Sequence, residues 1–577
     1  MTEPNFKLPT LEDMQQWTQV IGRAQQMMLE HGLKNGQGEL PASMPAFPGF
    51  GMGFGDGQSL IKASNDFWTD SMALWQRFLT PGSEPAPAPK DRRFSAAEWS
   101  ANPLFDMIQQ SYLLISDHLL KSVDSIEGVD AVQREKIAFA TRTMVEAMSP
   151  ANFAMTNPVV IQKTIESGGQ NLLKGLEHML TDIDRGQLTH TDPDAFEVGR
   201  NIAITPGKVV HETPLYQLIH YAPATKDVLE TPLVIFPPWI NRYYILDLNP
   251  EKSFIKWAVD QGVSVFIVSW KSADASMKDV VWDDYVVRGQ IDAIDTVRDV
   301  LGVESVHTIG YCVSGTTLAA TLAVLEARGE AAKVKSATFF TAQVDFSQPG
   351  EMQVFIDDEQ IKMIEGIAAD GYLDGRYMAA TFNLLRGRDL IWNYVVSNYL
   401  LGEDYPPFDL LHWNGDTTNL PLKWHVSYLR DLYQNNRLVE PGAMVVDGVP
   451  IDLRTIKTPS YIQAGREDHI APARSVWKIM DHFAGEKRFV LAGSGHIAGV
   501  VNPPSAQKYQ FWRNDAATSF DDYLAHAVET KGSWWPDWIE WLRAHGAATV
   551  KASGARVPGQ GTLKAIEDAP GRYAKTK

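Results

Sequence analysis

Val306-His307-Thr308-Ile309-Gly310-Tyr311-Cys312-Val313-Ser314-Gly315-Thr316 is the stretch on which the fold turns. A β-branched, apolar run enters it, and a helix-forming run, Thr316–Arg328, leaves it. A nucleophile-type side chain, Cys312, stands at the turn between them. A turn of this kind requires small residues two before and two after the nucleophile, because strand and helix approach closely there. Gly310 meets the first requirement. Ser314 fills the second position, with Gly315 beside it, so Ser314 is expected at the crowded crossing. A lone cysteine is commonly buried filler. Its place between a strand and a helix, flanked by glycines, marks this one as a nucleophile.

Outward from the turn, short apolar runs alternate with helical segments. Leu233–Phe236, Val263–Ser269, Ser336–Thr341, Ser460–Ala464 and Arg488–Leu491 predict strands, and Ser253–Gln261 and Tyr285–Leu301 predict helices. This alternation over 201–577 predicts an α/β domain with a mainly parallel sheet covered on both faces. Between about 345 and 450 the alternation stops and aromatics crowd in: Phe346, Phe355, Phe382, Trp392, Tyr394, Tyr399, Phe408 and Trp413. That interval is expected to be a cap inserted between two strands, read either as a plain helical subdomain whose aromatics are core or as an apolar lid over the site. Residues 95–200 are helical in period, with Leu104–Val123, Ala131–Met148 and Val159–Leu180 as the expected helices. Residues 1–94 are expected to be a mobile, partly helical segment with Gly/Pro-rich linkers, including Pro81–Lys90. There Leu11, Met14, Trp17, Ile21, Ala24 and Met28 recur at helical spacing, suited to packing on the domain or docking on an apolar surface. Gly51, Gly53, Gly55 and Gly57 mimic a dinucleotide loop, but no strand precedes them and no clear helix follows.

The 52 Lys and Arg against 70 Asp and Glu leave a net charge of −18, which argues against a nucleic-acid binder or a polybasic membrane protein. A single cysteine forbids an intramolecular disulfide and excludes cysteine-rich zinc and iron–sulfur sites. No run supplies the roughly 18 apolar residues of a membrane span, and the mixed, acidic start of the chain is not expected to be a signal peptide. A cytoplasmic protein without a transmembrane span is expected. No metal motif and no phosphate loop is visible, so neither a metal nor a cofactor is expected.

A cysteine at such a turn needs a base and an orienting acid, in the chain order acid then histidine. Gly465-Arg466-Glu467-Asp468-His469 follows one predicted strand, and Gly493-Ser494-Gly495-His496 follows the next. Asp468 is assigned as the acid and His496 as the base, with His469 as the rival base. The layout is the nucleophile elbow of the α/β-hydrolases, with cysteine in place of serine. The oxyanion hole is expected to use the backbone amide of Val313 and one from Pro237-Pro238-Trp239-Ile240-Asn241. Prolines have no N–H, so the first available amide is that of Trp239, with Ile240 next.

The sequence resembles the class I polyhydroxyalkanoate (polyhydroxybutyrate) synthases. The resemblance is carried by PPWINRYYILDLNP from Pro237, VSWKSADASMKDVVWDDYV from Val268, GYCVSGTTLA from Gly310 and IWNYVVSNYL from Ile391. It continues through FDLLHWNGDTTNLP from Phe408, GREDHIAP from Gly465, SGHIAGVVNPP from Ser494 and GSWWPDW from Gly532. It extends from about residue 90 onward, taking in DRRFSAAEW and NPVVIQKTIESGGQNLLKG. It implies a catalytic set of Cys312, Asp468 and His496. It also implies an acyltransferase that polymerises (R)-3-hydroxyacyl-CoA with short side chains and releases CoA. Further implications are a homodimer, with Trp413 in the matching motif, and action at a polyester granule surface where granule-associated proteins also sit. The family's elbow usually ends in two glycines, where this chain has Ser314-Gly315. The competing reading is a Cys-dependent hydrolase on the same fold, an intracellular polyester depolymerase or a thioesterase. A granule-binding protein without activity is a further rival, opposed by the intact Cys312, Asp468 and His496.

Overall fold

The computed structural model describes residues 90–124, 126 and 128–576, with Arg23, Met27, 66–74 and 76 from the preceding region. The amphipathic face from Leu11 to Met28, apart from Arg23 and Met27, lies outside the described residues, as do glycines 51–57 and linker residues 81–89. Two compact units form: Met1–His190 with Ala380–Pro406, and Thr191–Ala379 with Pro407–Lys577. Among the described residues, no helix is long and apolar enough to cross a membrane.

The first unit is helical. Helices α1 (Pro103–Asp124) and α2 (Ala131–Ala147) follow the expected apolar periods, and Asp130 caps α2 by accepting from Gln133 N at 2.8 Å. The single helix expected over Val159–Leu180 is two, α3 (Pro158–Glu166) and α4 (Gln170–Arg185), because Gly168 and Gly169 take φ of 58° and 86° between them. Asn157 caps α3, with Pro158 at its first position. The division of the chain differs from the boundaries at 200 and 345–450 in two places. The helical unit ends at His190, and Ala380–Pro406 joins it rather than forming part of a cap. Specific bonds account for this. Asn171 donates to Leu400 O at 2.7 Å, Tyr399 donates to Asp182 at 2.6 Å, and His190 Nε2 lies 2.7 Å from Leu390 O. Gly175 permits the approach, since a Cβ there would fall 1.7 Å from Tyr399 O.

The second unit is built on an eleven-stranded sheet. Its strands are β1 (Gly207–Glu212), β2 (Tyr216–Tyr221), β3 (Leu233–Phe236), β4 (Val265–Trp270), β5 (Val306–Tyr311), β6 (Val334–Phe340), β7 (Ser460–Gly465), β8 (Lys487–Ala492), β9 (Gln510–Arg513), β10 (Val528–Lys531) and β11 (Glu567–Asp568). The order is β10-β9-β8-β7-β6-β5-β3-β4-β2-β1-β11. Neighbours from β4 through β3 and β5 to β8 are parallel, and the flanking pairs are antiparallel. The central strands are buried along their length, as the continuous apolar runs require. From β3 the chain moves to β4 on one side, then returns to place β5 on the other. The crevice beyond the C-terminal ends of β3 and β5 is therefore the topological switch point, where such sheets put their sites. Helix α5 (Phe254–Asp260), α6 (Asp292–Leu301), α7 (Val313–Ala327) and α8 (Trp535–Ala544) cover the sheet. Every residue of α7 from Val313 to Leu325 is buried, so this helix carries no polar face.

Three histidines in this unit are held neutral by burial, which pulls His220 and His307 down to about 3 and His425 to about 4. Unfolded, each titrates near 6.5, so below that pH the unfolded chain binds more protons than the native one. Their contribution to stability is complete above the unfolded value. It falls as pH drops, by up to about 1.4 kcal/mol per pH unit for each histidine. Asp247, pushed up to about 6 by burial, runs in the opposite sense below that pH and offsets part of the loss. The urea unfolding free energy is expected to fall between about pH 7 and about pH 5. Equal or greater stability at the lower pH would contradict this account.

Candidate active site

Cys312 stands between β5 and α7 with φ 53° and ψ −126°, a left-handed conformation that costs a non-glycine residue about 1–3 kcal/mol. The surroundings fix it there. Cys312 N donates to Phe340 O at 2.9 Å, and Gly315 N and Thr316 N donate to Cys312 O at 2.8 and 3.1 Å. The thiol is half-buried. This is the sharp strand-to-helix turn expected of a nucleophile elbow.

The crowded crossing lies one residue later than the sequence suggests. A Cβ at Gly310 would meet Gly315 Cα at 2.6 Å, and a Cβ at Gly315 would meet the Ala342 methyl at 2.4 Å and Gly310 O at 2.8 Å. The closest backbone approach of strand to helix is therefore Gly310 on Gly315. Ser314 is fully buried but turned elsewhere, and its hydroxyl donates to Pro237 O at 2.6 Å.

The other two residues come from adjacent parallel strands. Asp468 follows β7 and His496 follows β8, and the two loops are laced by Glu467 N to Ser494 O at 3.1 Å and Arg466 N to Ala492 O at 2.9 Å. Asp468 Oδ1 accepts from the amides of Ile470 and Ala471, both at 2.9 Å, and Oδ2 pairs with His496 Nδ1 at 2.7 Å. With the carboxylate filled in this way, its imidazole partner is His496. The rival, His469, has its carbonyl turned to the amide of Glu351 at 3.2 Å. Burial alone would lower the His496 pKa. The Asp468 and Cys312 charges, with a hydrogen bond to each, outweigh it and hold the imidazole well above its ordinary value. Nδ1 is committed to Asp468, so Nε2 is the atom left for Cys312.

The supports are side-chain bonds to backbone carbonyls. Tyr311 donates to His496 O at 3.0 Å. Trp534 and Trp535, in the GSWWPDW segment, donate their indole N–H groups to Gly499 O and Val500 O at 2.8 and 2.9 Å, just past His496. Val313 opens α7, so its amide is among those that the helix ladder leaves unpaired. Trp239 is buried and stacks on Tyr285, ring centroids 3.9 Å apart.

Of the aromatics expected to line a lid, Phe382, Trp392, Tyr394 and Tyr399 belong to the helical unit. Phe408 is exposed, and Trp413 is buried with its indole donating to Arg242 O at 2.7 Å. Tyr428 and Tyr433, which the sequence does not single out, lie near enough to Cys312 to sense its charge, as do Tyr311 and His496. Burial first, and the charge of Cys312 among their neighbours, push both hydroxyls up. They lie five residues apart on a π-helix, Tyr428–Gln434, whose i→i+5 bonds bring such pairs together, with ring centroids at 5.5 Å. A search at 3.6-residue spacing passes over them. Trp424 links Tyr428 to Trp239, at 5.1 Å from each, so an aromatic wall runs from the loop after β3 toward the thiol.

A family profile described as the N-terminus of poly-beta-hydroxybutyrate polymerase matches residues 90–258, and one described as the alpha/beta hydrolase fold matches 231–503. The poly(3-hydroxyalkanoate) polymerase of Methylorubrum extorquens is 45% identical over 535 residues, spanning 90% of this chain and 88% of that protein. The chain belongs to the poly(3-hydroxyalkanoate) polymerases. The poly(3-hydroxyalkanoate) polymerase subunit PhaC of Cupriavidus necator matches at 45% over 518 residues, 89% of this chain and 87% of that one. Among solved structures, the monoacylglycerol lipase of Paleococcus ferrophilus matches with 14% identity and a TM-score of 0.30, over 49% of this chain and 91% of that one. The curated relatives and the hydrolase-fold profile make the polymerase an acyltransferase-type enzyme on an α/β-hydrolase fold.

The Gly310–Gly315 contact leaves the polymerase no room for a side chain. Gly315→Ala is expected to force β5 and α7 apart and displace Cys312. Shifts near 1 Å cost about 100-fold in rate, so CoA release should fall by at least that order while the far-UV spectrum stays folded. Near-normal turnover of the alanine variant would move the crossing elsewhere.

Proposed function

We propose that this polymerase builds polyester from (R)-3-hydroxyacyl-CoA with short side chains, such as 3-hydroxybutyryl-CoA, through a thioester on Cys312. The observation that carries the covalent route is the Asp468–His496 contact leading to Cys312 at the strained turn. The Cys312 thiolate attacks the thioester carbonyl, and the oxyanion is stabilised by the Val313 and Trp239 amides. The bond to the CoA sulfur breaks, and the imidazolium gives its Nε2 proton to the departing thiolate. The acyl-enzyme is again a thioester, so little driving force is lost. The 3-hydroxyl of a second acyl group then attacks this thioester. His496 takes the hydroxyl proton, the ester bond forms, and the thiolate is regenerated.

His496 serves in both steps. The Asp468 side chain is fully buried and its oxygens are occupied, which supports a purely orienting role. The aromatic wall supports exclusion of water, which separates polymerisation from hydrolysis. The CoA thioester is the substrate, and this route calls on no further cofactor. The enzyme works in the cytoplasm, at the surface of a polyester granule shared with granule-associated proteins, and as a homodimer. Exposed Met148, Phe153, Met155 and Ile165 of the helical unit support an apolar surface contact.

The test follows CoA release and insoluble product from 3-hydroxybutyryl-CoA, with mass spectrometry of the acylated peptide. Cys312→Ala is expected to remain folded and to lose both product and acyl adduct. Substantial turnover without Cys312, or free 3-hydroxy acid as the main product, would sink this reading. His496→Gln is expected to lose on the order of 100-fold or more, and His469→Gln far less. The reverse ranking would transfer the base to His469.

A further inference from the structure

The loop after β3 bears the amide assigned to the oxyanion hole, and it opens with Pro237-Pro238. Neither proline has an N–H. The start of the loop therefore offers only carbonyl acceptors, and what holds it must be donated from elsewhere. Two donors converge on Pro237 O: Ser314 Oγ at 2.6 Å and Trp270 Nε1 at 2.7 Å. A third, Thr418 Oγ1, reaches Trp239 O at 2.7 Å.

These contacts fall on either side of the amide that matters. Pro237 O belongs to the Pro237–Pro238 peptide plane, and Trp239 O to the Trp239–Ile240 plane. The Trp239 N–H lies on the plane between them. With Pro238 φ restricted by its ring and both outer planes pinned, little rotation is left to that amide. Ser314 sits two residues after Cys312 on α7, and Gln290 Nε2 donates to its carbonyl at 2.9 Å, fixing the first turn of the helix. The Ser314 hydroxyl thus ties the segment bearing the nucleophile to the loop that stabilises the charge the nucleophile creates.

We propose that Ser314 is a positioning residue that sets the Trp239 amide for the oxyanion by holding Pro237 O. A glycine at this position would have no hydroxyl and could not hold Pro237 O. The inference rests on the Cys312 thioester reading and adds a role outside the Cys312–His496–Asp468 set.

The test compares two reactions of one sulfur. Transfer of an acyl group from 3-hydroxybutyryl-CoA to Cys312 passes through an oxyanion. Alkylation of Cys312 by iodoacetamide displaces iodide and does not. In Ser314→Ala, the single-turnover acylation rate and kcat are expected to fall about 10-fold or more, with KM and the alkylation rate within about twofold of the parent. Thr418→Val, which removes the anchor on the other side of the same amide, is expected to give the same split. It keeps the question answerable if Ser314→Ala does not fold. Unchanged acylation in these variants overturns the proposal. A parallel fall in alkylation also overturns it, because Cys312 itself would then have moved. Failure of the parent to form any acyl-Cys312 would instead remove the underlying thioester reading.

Discussion

The close approach of Gly310 to Gly315 is the constraint on which the site depends. It brings the end of a central strand and the start of a buried helix within backbone contact, and the chain makes that turn only by placing Cys312 in a left-handed conformation. The conformation is unfavourable by itself. It persists because the amides of Gly315 and Thr316 close on the Cys312 carbonyl, its own amide reaches Phe340 O, and α7 is enclosed on all sides. The sulfur is thereby raised beyond the ends of the strands, where the loops after β3, β7 and β8 meet it.

The site is then held by an indirect scheme. Few of its supports join one reacting side chain to another. Most join a neighbouring side chain to a backbone carbonyl: Tyr311 to His496 O, Trp534 and Trp535 to the segment after His496, and Trp413 to Arg242 O. Carbonyl anchoring suits loops that must present amides, since it uses the acceptor of each peptide and leaves the donors free. It also spreads the site's geometry over residues far apart in sequence.

Much of this was legible before the structure. The central strands, the turn at Cys312, and the acid and histidine after consecutive strands all follow from apolar runs and chain order. The antiparallel flanks β1, β2, β9 and β10 do not stand out, because their short mixed runs lack the continuous apolar signal of the parallel strands. The sequence pattern puts on Ser314 the crowding that belongs to Gly315, because a pattern of small residues does not say which backbone atoms touch. The aromatics of Ala380–Pro406 announce burial but not the partner, so the sequence alone reads this stretch as part of a cap. Tyr428 and Tyr433 do not stand out in the sequence because their pairing belongs to a π-helix.

The guanidinium of Arg242 is held by residues very distant in the chain. It donates to Tyr573 O and Thr576 O at 2.8 and 2.6 Å, across sequence separations of 331 and 334 residues. Alongside it, β11 closes on β1. Synthesis runs from the N-terminus, so the strand leading to Cys312 emerges long before these carbonyls exist. Until residues 573–576 leave the ribosome, the segment around Arg242 lacks its last two acceptors. A nascent chain can therefore carry Cys312 well before the neighbourhood of Arg242 is completed.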